Sequence, residues 1–276
     1  MWRHVERRDG PGNHSPLRRA RCGSRRCGPR RSRHRGGTQE GKPVSEEIGL
    51  LEGIATTRAV RRYRADPIPE EDLNEILFAA SRAPSGSNRQ GFRFLVLRDG
   101  SGARQARELL GDAGRRFWAA KRDADGYDEG SGRRPDSPKA RMARTMQAYV
   151  DGYEEIPIVI LTCLQRHRSG NDPADGASVY PAVQNLLLAA RALGYGGVMT
   201  TWHRFVEGDL RHVLDIPDEV FIAATVTLGV PAGRHGPVRR RPLRELVFED
   251  RWGATPSWIH DPRGSRHTAA GPPAQR

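Results

Sequence analysis

Cysteine is scarce in this 276-residue chain. Cys22, Cys27 and Cys163 are too few for a disulfide framework. No run of about 18 apolar residues occurs, which excludes a membrane-spanning helix. The N-terminus has no apolar core segment of the kind a secretory signal requires. Aromatics make up 7% and hydrophobic residues 36%, so any core must come from a minority of segments. Metal-ligand spacing is missing too: His203, His212 and His235 have no partner residue at ligand distance along the chain, and no metal is expected. A nucleophile elbow, a phosphate-binding Walker loop and a supported pair of acids are likewise absent. With no membrane or export signal, the expected location is cytoplasmic.

Acidic residues are short in one place. The chain carries 46 Lys+Arg against 33 Asp+Glu, a formal net charge of +13. Residues 1–43 hold 13 of the basic residues and only Glu6, Asp9 and Glu40, a local net of +10. The remainder is close to balanced at +3. Residues 1–43 also lack an apolar period, so they cannot bury enough surface to offset the entropy of ordering. They are expected to form a disordered basic tail outside the folded domain, with Val44 as a candidate true start of the protein. A nucleic-acid arm would rest on bare charge alone, without a binding fold or interleaved aromatics.

What is present begins at Ser45, a candidate helix cap followed by Glu46 and Glu47, with Ile48, Leu51 and Ala55 on one face. Pro69 suits the first turn of a second helix, where Leu73, Ile76, Leu77 and Ala80 recur at helical spacing. That helix must stop near Ala83, before Pro84. Phe92 to Val96 alternates as a strand, residues 103–125 form a very basic helix, Gly130 to Pro138 reads as a flexible break, and residues 139–152 form another helix. Ile156 to Cys163 is a strand too apolar to face water on either side. Tyr180 to Leu193 is an apolar helix ended by Gly194, where left-handed backbone is needed. A turn enters a short strand ending at Thr200, residues 207–214 make a short helix, Phe221 to Leu228 a further strand, and a last short helix lies around Leu243 to Phe248. Residues 254–276 read as a Pro/Gly-rich arm. The pattern predicts one α+β domain over 44–253.

The residues suited to chemistry are anion- and amide-binding pieces. Arg58, Arg61 and Arg62 cluster before the second helix, and Arg239, Arg240 and Arg241 cluster about 180 residues later. Pro84-Ser85-Gly86-Ser87-Asn88 offers a hydroxyl, an amide and exposed backbone. A compound with one phosphate and a polar heterocycle needs such groups, whereas either arginine cluster alone reads better as a solvated face. Spacing does not decide between the two.

Together these segments resemble the flavin-dependent nitroreductase family. The resemblance rests on Arg58-Ala59-Val60-Arg61-Arg62-Tyr63, Pro67-Ile68-Pro69 and Ala83-Pro84-Ser85-Gly86-Ser87-Asn88-Arg89-Gln90. Ala192-Leu193-Gly194-Tyr195-Gly196-Gly197 and Arg239-Arg240-Arg241-Pro242-Leu243 follow in the family's order. It implies a central, mainly antiparallel sheet sandwiched by helices and an intertwined homodimer with FMN at the subunit interfaces. Carried over by position, Arg58, Ala59 and Arg61, with Arg62 adjacent, would meet the flavin phosphate, ribityl chain or pyrimidine edge. Pro84, Ser85 and Asn88 would come from the second subunit, and Met199, Thr200 and Thr201 would lie against the redox-active edge. Arg239 or Arg240 would bind the phosphate. The family usually has Ser at the place of Ala59, Gln-Pro-Trp at the place of Gln90-Gly91-Phe92, and a basic residue at the place of Val238.

The implied activity is a ping-pong transfer of hydride from NAD(P)H through FMN to an electron-poor small molecule such as a nitro compound or quinone. No side-chain acid or base is expected to be essential, because the cofactor carries the electrons. Phe117 and Trp118 are candidates for a lid over the flavin, with core packing as the alternative. The scaffold is also similar to that of reductive deiodinases and of an enzyme that fragments its own flavin. A flavin-binding protein without turnover is the remaining reading.

Overall fold

The computed structural model describes residues 48–167, 173–234 and 236–268. The basic tail, its boundary at Val44, the expected cap Ser45, His235 and the end of the arm therefore lie outside the described residues.

Four strands form one antiparallel sheet: β1 (Phe92–Leu97), β2 (Ile158–Gln165), β3 (Gly196–Thr200) and β4 (Val220–Gly229), in the spatial order β1-β2-β4-β3. β2 is buried along nearly its whole length, as its unbroken apolar run requires. Its alternate residues serve two cores. Val159, Leu161 and Cys163 face one layer, and Ile158 and Ile160 face the other. The register shifts between Thr162 and Cys163, so Ala223 on β4 is an extra residue and the face of β4 changes there.

The first layer is built from α3 (Ser101–Ala124), α4 (Pro138–Asp151) and α6 (Glu207–Leu214), with Leu110, Trp118, Met146, Tyr153 and Leu210 in its core. The second is built from α2 (Glu70–Ala80) and α5 (Tyr180–Ala192), which bury Leu73, Ile76, Val183 and Leu186. The sheet is thus sandwiched by helices. Tyr195 is buried at the start of β3 and donates to the carboxylate of Asp72 on α2 at 2.5 Å, tying that layer to the sheet. A preceding short helix, α1 (Leu50–Thr56), leaves Leu50 and Leu51 exposed at 73% and 80%.

Several boundaries differ from the sequence reading for identifiable reasons. β2 begins after Pro157 because the carbonyls of Ile156 and Pro157 are taken by the buried guanidinium of Arg107, which also holds Leu97 O at 2.7 Å. The break between Gly130 and Pro138 is ordered by a 3-10 turn, Gly130–Arg133, and by Ser137, whose Oγ accepts from Ala140 N at 3.0 Å to cap α4. The last expected helix shrinks to a 3-10 turn, Leu243–Glu245. Gly194 has φ of 86°, the left-handed conformation expected after α5. No helix among the described residues is long and apolar enough to cross a membrane.

Candidate functional site

The site is built on the edge of the sheet. After α1 the chain runs extended along β3: Ala59 bridges Gly197, and Val60 N donates to Gly197 O at 2.9 Å. It then crosses to the chain following β4, where Arg64 N meets Val230 O at 2.9 Å and Ala232 N meets Arg62 O at 3.0 Å. Close approach needs glycine on the sheet side. A Cβ on Gly196 would lie 2.6 Å from Val60 Cγ2, and one on Gly197 would lie 2.5 Å from both Thr227 O and Leu228 Cδ2.

Buried hydroxyls lock this segment in place. Tyr63 Oη donates to Val60 O at 2.6 Å and lies 2.9 Å from Thr227 Oγ1, which is also 2.9 Å from Tyr149 Oη on α4. Burial pushes the Tyr63 phenol well above its ordinary range; neighbouring Tyr149 adds to this, while Thr227 and Arg61 oppose it. Both phenols therefore stay neutral hydrogen-bonding groups throughout the working pH range.

Arg58, Arg61 and Arg62 line a cavity of about 380 Å³ together with Arg141 and Met142 of α4 and Arg234. Among the described residues no carboxylate lines it. Arg58, Arg61, Arg62 and Arg234 make no side-chain hydrogen bond or ion pair with the described residues, and Arg141 donates only to the carbonyl of Asp136. Like charges gathered without a counter-ion repel, and an anionic ligand relieves that repulsion. A second cavity of about 440 Å³ shares Arg61 and Arg62 and continues along α4 past Tyr149 to Gly152. The donor set fits an anionic cofactor carrying a phosphate.

The other expected site residues fall around this edge in different ways. Met199 and Thr200 end β3, two and three residues beyond the Gly197 that bonds Val60, so the arginine segment and the Met199–Thr200 end of the strand share one sheet edge. Met199 is 41% exposed, and Thr200 Oγ1 is buried without a partner among the described residues. Thr201 opens a separate cavity of about 550 Å³, which it shares with His203, Arg204 and the Arg166–Asp175 ion pair. Arg239 and Arg240 do not line the arginine cavity, but Val238 N donates to Ala55 O at 3.1 Å, which sets their segment beside the end of α1, three residues before Arg58. Arg240 also bridges His267 of the arm.

Pro84 and Asn88 are exposed, Ser85 is half-buried, and none of the three lines the arginine cavity. Ser85 Oγ accepts from Gln90 N at 2.8 Å, and Ser87, Asn88 and Gln90 have φ of 51°, so the loop is held in a tight left-handed form. The two aromatics of α3 separate. Trp118 is 1% exposed and donates to Gln147 Oε1 at 3.0 Å, so it packs in the core and is no lid. Phe117 remains partly exposed, with ring centroids 6.1 Å from Trp202 and 5.9 Å from Phe205. Arg141 and Arg234 escaped the sequence reading because neither sits in a cluster with Arg58. The one signal was that Arg141 and Thr145 share a face of α4 at i, i+4. Among the described residues no group of side chains is arranged to hold a metal ion.

The family model described as "Nitroreductase family" matches residues 54–230. The chain is 34% identical over 205 residues to an NADH dehydrogenase of Thermus thermophilus, a match spanning 69% of this chain and 91% of that protein. It is 27% identical over 199 residues to an iodotyrosine deiodinase of Thermotoga neapolitana, spanning 72% and 96%. A solved structure of a nitroreductase-type protein in complex with FMN, from Desulfovibrio desulfuricans, is similar with a TM-score of 0.53 and 26% identity, covering 75% of this chain and 99% of that one. With the arginine segment, the glycine-lined sheet edge and the helix-covered sheet all inside the matched span, the chain belongs to the nitroreductase family.

Proposed function

We propose that this protein is an FMN-dependent NAD(P)H oxidoreductase acting on electron-poor small molecules. The observation that carries the reading is the arginine-lined cavity beside the edge of β3, which no carboxylate lines among the described residues. When bound, FMN would supply a two-electron carrier for a ping-pong cycle, taking a hydride from NAD(P)H and delivering a hydride, with one further proton from water, to a quinone or nitro acceptor.

The chain's own residues supply position and charge. Arg58, aided by Arg239 or Arg240, would hold the flavin phosphate, and Arg61 and Arg62 would keep positive charge along the same wall. The backbone at Met199, Thr200 and Thr201 would lie against the redox-active edge. Phe117, exposed over Trp202 and Phe205, would cover the ring and exclude water. Pro84, Ser85 and Asn88 would complete the pocket from a second copy of the chain. The exposed apolar residues of α1, Leu50, Leu51 and Ile54, support such a homodimer, since a contiguous apolar face of this kind marks an interface.

The test is a visible spectrum of the purified protein. A yellow, dimeric protein whose flavin band is bleached by NADPH or NADH in the absence of oxygen, then restored by a quinone, supports the reading. A colourless chain that takes up no added FMN refutes it. The similarity to a deiodinase favours one second reading, reductive dehalogenation on the same scaffold. Release of halide from a halogenated phenol by the reduced protein, at a rate exceeding quinone reduction, would select it.

A further inference from the structure

The charge gathered in the arginine cavity exceeds what one flavin phosphate uses. A phosphate monoester carries about −1.5 to −2 charges at neutral pH and is satisfied by one or two guanidinium forks. Arg58, Arg61, Arg62, Arg141 and Arg234 all line the cavity, and among the described residues no acid lines it. Two of these come from elements distinct from the flavin-holding segment. Arg141 stands on the first turn of α4, and Arg234 follows β4. Met142, 43% exposed, adds an apolar surface next to Arg141. A neighbouring groove along α4 shares Arg61 and Arg62 with the cavity, so the two lie on either hand of the same segment.

We infer that Arg141 and Arg234 recognise a second phosphate monoester, carried by the electron donor: the 2′-phosphate that distinguishes NADPH from NADH. The bridging diphosphate, common to NADH and NADPH, carries one charge on each phosphorus, whereas the 2′-phosphate is a monoester that concentrates up to two charges on one phosphorus and matches a pair of guanidinium groups. Arg141, on α4, and Arg234, after β4, would each offer a guanidinium group to it, while Met142 would offer a surface for the adjoining adenine. The inference rests on the FMN-dependent reading above and adds to it a choice of reductant.

The experiment uses the flavin-loaded protein, assayed with NADPH and with NADH against one quinone. Preference for NADPH of about tenfold or more in kcat/KM is expected, as a charge-assisted contact of this kind confers. Arg141→Ala and Arg234→Ala, both exposed positions, should each reduce the NADPH-to-NADH ratio by about fivefold or more through KM for NADPH. Arg141→Lys, which keeps the charge, should reduce it less. Adenosine 2′-phosphate should compete with NADPH in the wild type, and less well in either alanine variant, where adenosine alone does not. FMN content, read from the flavin band, should stay at the wild-type level in all variants. Equal use of NADH and NADPH by the loaded wild type overturns the inference while leaving the oxidoreductase reading intact. So does loss of FMN in the alanine variants with an unchanged ratio, because the arginines then serve the flavin phosphate. A protein that binds no FMN fails earlier, in the spectrum, and removes both.

Discussion

Tyr63 and Tyr149, 86 positions apart, place their phenol oxygens on the same hydroxyl, each 2.9 Å from Thr227 Oγ1. Each hydroxyl has one proton to give. Tyr63 spends its proton on Val60 O at 2.6 Å, which leaves Thr227 to donate to Tyr63 and Tyr149 to donate to Thr227. The chain of donors therefore runs from α4 through β4 into the arginine-bearing segment, and it fixes where Arg61 and Arg62 stand.

Removing either end should loosen that segment. Tyr63→Phe deletes the donor to Val60 O and leaves a part-buried carbonyl short of a partner, at a cost of about 1 kcal/mol. Tyr149→Phe should cost a similar amount, and the double variant less than the sum, because both act through Thr227. Urea denaturation of the four proteins measures the coupling. Strict additivity would show that the two phenols do not share a network.

Gly197 is the second support of the same segment. Its alanine variant would set a Cβ 2.5 Å from the backbone carbonyl of Thr227, an atom that cannot swing aside. β3 must then move off β4, taking the Val60–Gly197 hydrogen bond with it. A loss of about 1–3 kcal/mol is expected from such overpacking. Weaker retention of FMN on dilution should accompany it if the arginine segment holds the flavin. Unaltered stability in Gly197→Ala would mean that the edge has slack the geometry does not show.

Much of this architecture was legible in the chain. The periodic helices α2 and α5, the unbroken apolar run of β2 and the left-handed Gly194 are local signals, and the structure places them within a few residues of expectation. What escaped depends on partners far along the chain. Arg107 lies on a helix whose many charges suggest a solvated face, yet it is 8% exposed and donates to carbonyls around β1 and the entry to β2. Phe117 and Trp118 are neighbours in sequence, but successive helical residues point about 100° apart, so one reaches the core and the other the surface. Arg141 and Arg234 acquire meaning only once α4 and the chain after β4 close over Arg58–Arg62.

The single described cysteine should be chemically silent. Cys163 lies in β2 with 3% exposure, and burial pushes its thiol up to about 11. At pH 8 almost none is thiolate, and reagents have no path to it. Alkylation of the native protein followed by peptide mass mapping should leave Cys163 unmodified, and brief unfolding should make it react. Rapid native labelling would show that β2 opens far more readily than a central strand should.

His203 gives the fold a predictable response to acid. It is 1% exposed, beside Thr225 on β4, with Nδ1 3.3 Å from Thr225 Oγ1. Burial lowers its pKa below the ordinary 6.5, and Arg204 adds to this, while a backbone hydrogen bond to Ile222 and the charge of Glu207 partly oppose it. The unfolded chain therefore binds a proton here more readily than the folded one. Stability from this group is complete above about pH 6.5 and falls as pH drops from there through the folded value, below which it changes no further. His203→Phe should be less stable at pH 7.5, since Thr225 loses a partner. Its melting temperature should nonetheless decline less steeply between pH 7 and pH 5 than that of the wild type, all other acid-titrating groups being common to both. Parallel curves in that interval would show that His203 is protonated equally in the folded and unfolded chains, and that the site around Thr225 admits water the described packing excludes.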